Sequence, residues 1–209
     1  MSIKQVSFKH GWFYFYRIHE PKTQALTKDF PTLNKFLYDV FEDCPDEYFN
    51  EGPRSSALKF PLNINLEAIE GDHEVKLLTK QGLEANATRY KSAHSKVQVH
   101  MLEEDDMTIG VEVPLWLNAD EYEGYEKLFS TSLPLTGHID VLRIQDGKIW
   151  VWDYKPNAKR EKYAATQVYF YALMLSVRTG ISLDHFMCGY FDSADAYVFD
   201  PAKDSIVEN

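Results

Sequence analysis

Asp140, Asp153 and Lys155 are the residues through which this sequence can do chemistry, and a turn fixes their relation. Residues 135–144 and 148–155 are rich in β-prone side chains and are joined by Asp146-Gly147. Asp-Gly between two such runs is the strongest short-range hairpin signal, because the favoured turn needs positive φ at both positions. With that dipeptide as the loop, Gln145 lies opposite Lys148, and stepping back along both strands sets Asp140 opposite Asp153. Directly opposed side chains share a face with Cβ atoms about 4.5–5.5 Å apart, where two carboxylates repel unless a cation lies between them. Lys155 follows Asp153 by two residues and projects on the same face. The trio suits a hard divalent cation held by oxygen ligands, with a lysine beside the water that the metal activates. The same face carries Leu142, Ile144, Ile149 and Val151, which favour burial, so a merely solvated acidic face is the weaker reading.

Three ordered blocks carry a family resemblance: Leu135-Thr-Gly-His-Ile-Asp140, Val151-Trp-Asp-Tyr-Lys155 and Gln167-Val-Tyr-Phe-Tyr171. Together they resemble the PD-(D/E)XK nuclease superfamily, in its RecB-like branch of CRISPR-associated and mitochondrial-genome-maintenance exonucleases. Its pattern is Gly-x-x-Asp, then Asp/Glu-x-Lys, then Gln-x-x-x-Tyr. The resemblance implies that Asp140 and Asp153 ligate metal, with the Tyr154 carbonyl as a further ligand. Lys155 would position the attacking water, while Gln167 and Tyr171, i and i+4 on one helix face, would orient the site and the backbone of the nucleic acid. Glu112 in Val111-Glu-Val-Pro-Leu115 stands at a commonly acidic position of the branch and is a possible additional acid. A helix leading into Cys44-Pro45 and Tyr48-Phe49 is similar to the branch's entry motif. Pro156 departs from the threonine usual after the lysine.

The branch also places a histidine ligand on the helix before the sheet, a few residues after a glycine. His73 follows Gly71, whereas His94 sits centrally on a more regular apolar stripe. His73 is preferred, because a glycine inside a helix costs about 1 kcal/mol relative to alanine and close approach to the sheet would justify it. His94 stays open as the alternative. Lys159, Arg160 and Lys162 lie just beyond the lysine motif, where cations at a helix start oppose the macrodipole. Phosphate contact would justify them.

The elements that must position these residues read as follows. Residues 12–18, Trp-Phe-Tyr-Phe-Tyr-Arg-Ile, are β-prone with aromatics on both faces. A helix runs over about 31–41, with Thr32 as N-cap and Pro45 as stop. Apolar periodicity predicts helices over about 65–81 and 83–102, broken at Gly82. The acidic run 103–106 reads as a solvated loop. Strands are expected at 108–117, where Val111, Val113 and Leu115 share one face and Glu112 and Trp116 the other, and at 186–191 and 196–199. A helix over about 161–179 closes at Gly180. The fold class is α/β (α+β), a mixed sheet flanked by helices in the order α-β-β-β-α-β. With the resemblance it becomes a restriction-endonuclease-like core over 63–209 in a single domain, preceded by a helical and strand extension over 1–62.

Composition bounds the rest. The chain has 209 residues, 44% of them apolar, with 13 Phe, 13 Tyr and 4 Trp, enough for a bulky core. Its longest uncharged run, 163–177, is shorter than the roughly 20 residues a membrane span needs, and no secretory leader is visible, so an intracellular (cytoplasmic) protein is expected. Two cysteines, Cys44 and Cys188, cannot bind an iron–sulfur cluster and do not read as a structural zinc site. A formal net charge of −10 argues against non-specific binding of nucleic acid by a basic surface. The resemblance implies a Mg²⁺- or Mn²⁺-dependent deoxyribonuclease, an exonuclease on single-stranded or end-containing DNA, serving repair or recombination beside other replication, recombination or CRISPR proteins. A structure-selective endonuclease of the junction-resolvase type, or a non-catalytic nucleic-acid- or protein-binding module on the same fold, stay open.

Overall fold

The structure, a computed structural model, describes residues 2–203; Met1 and residues 204–209, the last of the stretch assigned to the core, lie outside it. Its strands are β1 (Ile3–His10), β2 (Trp12–His19), β3 (Glu67–Ala68), β4 (Thr108–Leu117), β5 (Leu135–Gln145), β6 (Lys148–Tyr154), β7 (Phe186–Phe191) and β8 (Ala196–Phe199). Its α-helices are α1 (Glu20–Leu26), α2 (Pro31–Asp43), α3 (Tyr48–Glu51), α4 (Glu74–Ala85), α5 (Ala93–Glu104), α6 (Tyr125–Phe129) and α7 (Ala164–Thr179).

Asp146 and Gly147 take φ values of 52° and 70°, the left-handed pair that joins β5 to β6 in the expected register, Gln145 opposite Lys148. This hairpin lies at the centre of one sheet with strand order β1-β2-β4-β5-β6-β7-β8-β3. Among the described strands only β6 and β7 pair in parallel, their crossover being α7, which closes at Gly180 with φ 69°. The first two strands thus belong to the same sheet as the β5–β6 hairpin.

Two apolar clusters cover the sheet. On one side Leu142, Ile144, Ile149 and Val151 pack with Val168, Phe170 and Ala172 of α7 and with Leu33 and Leu37 of α2. On the other, Val141 and Trp152 pack with Val75 and Leu78 of α4 and Val97 and Met101 of α5. The sheet is therefore sandwiched between helices, the mixed α+β arrangement expected.

Several local expectations are corrected. The periodicity over 65–81 is not one helix: Glu67–Ala68 pairs with β8, and α4 begins only at Glu74. Gly71 lies in the intervening loop at φ 66° with no neighbour near its Cβ position, so backbone conformation, not close helix packing, accounts for it. Gly82 lies inside α4 rather than breaking it. A Cβ there would fall 2.9 Å from His100 Cβ and 3.0 Å from the Lys96 carbonyl oxygen, so the glycine admits the close crossing of α4 and α5. The real break is 86–92, before Ser92 caps α5. Pro31 is the first residue of α2 and Phe30 its N-cap, so Thr32 is already helical.

The acidic run 103–106 is not simply solvated. Asp105 is buried and accepts from Arg143 Nε at 2.8 Å and from the Met107 amide at 3.1 Å, while Arg143, itself fully buried, also reaches Glu74 at 2.6 Å. Removing one partner of such a pair leaves an uncompensated interior charge, which costs roughly 3–5 kcal/mol.

Candidate active site

The β5–β6 ladder runs from Gln145–Lys148 to Val141–Trp152. Beyond that rung the Tyr154 amide donates at 2.9 Å to Asp140 Oδ2, so a side chain takes the backbone donor. On the other flank, Val111 pairs with Val141 and Val113 with Ile139, which brackets Glu112 opposite Asp140. Glu112 has φ 52°, and the alternation expected along β4 fails there: Val111 joins the cluster under α4 and α5, while Val113 and Leu115 join the opposite one. The sheet changes face along the row that carries the two acids.

Helices on both sides supply the partners. Gln98 of α5, buried, donates from Nε2 to Glu112 at 2.8 Å and to Asp140 at 3.1 Å. An amide nitrogen has two hydrogens, and both are used on carboxylates. His94, one turn earlier, places Nε2 3.8 Å from Asp140 Oδ2 and its ring edge-on to Tyr154. From the other face, Gln167 Nε2 donates to Asp153 Oδ1 at 3.3 Å and to the Tyr171 hydroxyl at 2.6 Å. Lys155 Nζ pairs with Asp153 Oδ2 at 2.6 Å.

Charge is unbalanced here. Burial, and then the charge of Asp140, push Asp153 up to about 7 and Glu112 up to about 8. Burial disfavours the Lys155 ammonium, but Asp153 and Asp140 outweigh it and raise its pKa, so the lysine stays charged. Burial above all, with the nearby Asp153 and Asp140 charges, raises Tyr171 well above its usual value, and it remains a neutral phenol. Three carboxylates thus meet one close ammonium, that of Lys155 on Asp153 Oδ2. An oxygen-rich cluster with more carboxylates than close cations fits a divalent cation. All these groups line one cavity of about 410 Å³.

A model of the PD-(D/E)XK nuclease superfamily matches residues 72–203, more than half of the sequence. The chain belongs to that superfamily. No curated protein and no solved structure matches it. Membership supports a metal-dependent nuclease in general, and the mixed sheet is consistent with a restriction-endonuclease-like fold. Among the described residues, no helix is long and apolar enough to cross a membrane.

Five sequence-selected residues of this PD-(D/E)XK protein, Asp140, Asp153, Lys155, Gln167 and Tyr171, line the cavity, as does Glu112. His73 does not. Its Nδ1 accepts the Val75 amide as the N-cap of α4, its ring lies 6.3 Å from that of Trp152, and the cavity is lined by His94 instead. The preference for His73 rested on a helix that starts only after it. Lys159, Arg160 and Lys162 are exposed on a short turn before α7, not in its first turn, so the macrodipole argument does not apply to them.

Sequence reasoning missed Gln98, His138, Tyr14 and Arg54, which also line the cavity. His138 was the most accessible of these, standing two residues before Asp140 on β5. Its Nε2 lies 2.8 Å from Nδ1 of fully buried His10, whose Nε2 lies 2.8 Å from Asp46 Oδ1. His10, Cys44 and Asp46 have ligand atoms within 4.8 Å of one another, a group that could also hold a metal ion. Distant segments assemble it, so no sequence spacing announces it.

Proposed function

We propose that this protein is a Mg²⁺- or Mn²⁺-dependent deoxyribonuclease, an exonuclease that acts on single-stranded or end-containing DNA. The observation that carries the reading is the buried Asp140–Asp153 pair with Lys155 Nζ 2.6 Å from Asp153, in a cavity roomy enough for a nucleotide. A confined cavity favours a strand end over the middle of a duplex.

Asp140 and Asp153, with His94 and the Tyr154 carbonyl, would hold the cation. When bound, it supplies Lewis-acid polarisation of the phosphate and a lowered pKa of the attacking water. Lys155, held charged by its carboxylate neighbours, orients that water and offsets the charge that builds on the phosphate oxygens. Gln167 ties Asp153 to Tyr171 and so fixes the carboxylate's orientation. Glu112 and Asp140 are held together by Gln98. Exposed Lys159, Arg160 and Lys162 offer phosphate contacts outside the cavity.

Digestion of end-labelled linear and of circular DNA, with Mn²⁺ and with EDTA, tests this reading. Progressive loss from the ends of linear strands, intact circles and no reaction in EDTA are expected. Cleavage of circles at the linear rate would make the protein an endonuclease. No cleavage with any divalent metal would leave a binding module.

A further inference from the structure

The β1–β2 hairpin turns at Gly11, φ 73°, and carries Trp12, Phe13, Tyr14 and Phe15 in succession. Soluble proteins scatter exposed apolar side chains singly, and a contiguous group marks an interaction site. Trp12 is 75% exposed, Phe13 57% and Phe15 46%, with Phe13 and Phe15 on one face and Trp12 on the other of a strand whose backbone pairs with β4 at Arg17 and Ile18. From Trp12 to Tyr16 the backbone of β2 pairs with β1 and not with β4, which leaves a gap in the ladder between β2 and β4.

That gap opens into the cavity that holds Asp140 and Asp153, and all four aromatics line it. Nearer the acids, Tyr14 stacks on His138 with ring centroids 3.8 Å apart. Two guanidinium groups accompany the rings: Arg17 lies 5.3 Å from the centre of Phe15 and Arg54 5.5 Å from that of Tyr14. In a chain of net charge −10, both of these cations line the cavity. Exposed rings that lead to a phosphate-hydrolysing centre, with arginines alongside, are the features that hold unpaired bases and their backbone. The hairpin precedes the segment matched by the superfamily model, 72–203.

We propose that Trp12, Phe13 and Phe15 form a stacking platform for unpaired bases, which threads a single strand into the cavity; this rests on the nuclease reading. A base inside a duplex keeps its faces stacked on its neighbours and offers none to these rings, so the platform discriminates single from double strands. Stacking is tolerant of sequence, since every base has a π-face.

The test measures binding of a labelled oligothymidylate and of a blunt duplex of equal length, in EDTA so that neither is cut. The proteins compared are wild type, Trp12→Ala, Phe13→Ala, Phe15→Ala, the triple variant and Trp12→Phe, each checked for an unchanged melting temperature. Each alanine should weaken single-strand binding by about tenfold and the triple variant by about a thousandfold, with duplex binding and the salt slope unchanged. Trp12→Phe should keep the affinity and lose the tryptophan quench that accompanies binding in wild type. Unchanged single-strand affinity in the triple variant, or equal losses on both substrates, overturns the platform alone. A smaller sedimenting mass with unchanged affinity overturns it too, in favour of a contact between copies of the chain. Failure of wild type to bind either oligonucleotide overturns the nuclease reading itself.

Discussion

The ring of Tyr171 occupies the space that a side chain on residue 137 would need. A Cβ on Gly137 would fall 2.3 Å from Tyr171 Cε1 and 3.1 Å from Ser55 Oγ. Tyr171 in turn accepts the Gln167 amide that also holds Asp153. The glycine before Asp140 on β5 and the tyrosine at the end of the glutamine motif on α7 are thus two halves of one contact. Through it, the helix fixes both acid-bearing strands.

Gly137→Ala should therefore displace a buried ring and disturb Asp153 through Gln167. Overpacking of this kind costs about 1–3 kcal/mol. Thermal unfolding and cleavage assays should show both stability and activity reduced. Tyr171→Phe, which keeps the ring and loses one hydrogen bond, should cost only about 1 kcal/mol. A fully active and stable Gly137→Ala protein would remove the coupling between the two motifs.

Lys155→Ala should lower cleavage by on the order of 10²–10³-fold, the usual cost of losing a preorganised charge at the reacting centre. Metal affinity should persist, because the lysine pairs with Asp153 but is not a ligand. Single-turnover cleavage beside Mn²⁺ titration separates the two effects, and wild-type rates in this variant would rule out the proposed role.

The two histidines should separate cleanly. His94→Ala is expected to weaken Mn²⁺ binding by about tenfold or more, a loss typical of groups that hold or orient a metal. His73→Ala should leave the affinity alone and cost about 1 kcal/mol of stability, as loss of an N-cap does. Calorimetric titration and thermal melts of both variants decide between them, and the opposite pattern would return the ligand role to His73.

Asp105 predicts a stability profile in acid. Burial works to raise its pKa, but the hydrogen bond and charge of Arg143 outweigh it and hold the carboxyl below its usual value. A depressed folded-state pKa means that the unfolded chain binds the extra proton first. The stabilisation is therefore complete above the unfolded pKa of about 3.9 and is lost as pH falls through the lower folded value. Urea unfolding between about pH 2 and 6 should show a steeper acid loss for wild type than for Asp105→Asn. At neutral pH the variant should be less stable by roughly 3–5 kcal/mol, with Arg143 left to its exposed partner Glu74. Parallel acid slopes for the two proteins would show that the pair does not govern this loss.

What the sequence by itself determined was local. Asp146-Gly147 sets a turn from two adjacent residues, and every rung from Gln145–Lys148 to Val141–Trp152 follows by counting. The same holds for the end of α7 at Gly180 and for β4, β7 and β8, where β-rich runs end at recognisable breaks. Asp140, Asp153 and Lys155 were legible because one hairpin carries all three. Tertiary structure alone decided the rest, because the partners are remote in the chain. His94 and Gln98 reach Asp140 across more than forty residues, and Arg143 draws Asp105 inward and takes exposed Glu74 as a second partner for a charge that would otherwise be buried alone. The positive φ of Glu112 belongs to no propensity; it sits where β4 must turn an acid toward Asp140. The aromatic stretch at 12–15 reads as ordinary strand in isolation. Only because the backbone of β2 pairs with β4 at Arg17 and Ile18 and not from Trp12 to Tyr16 do its rings line the cavity rather than a core.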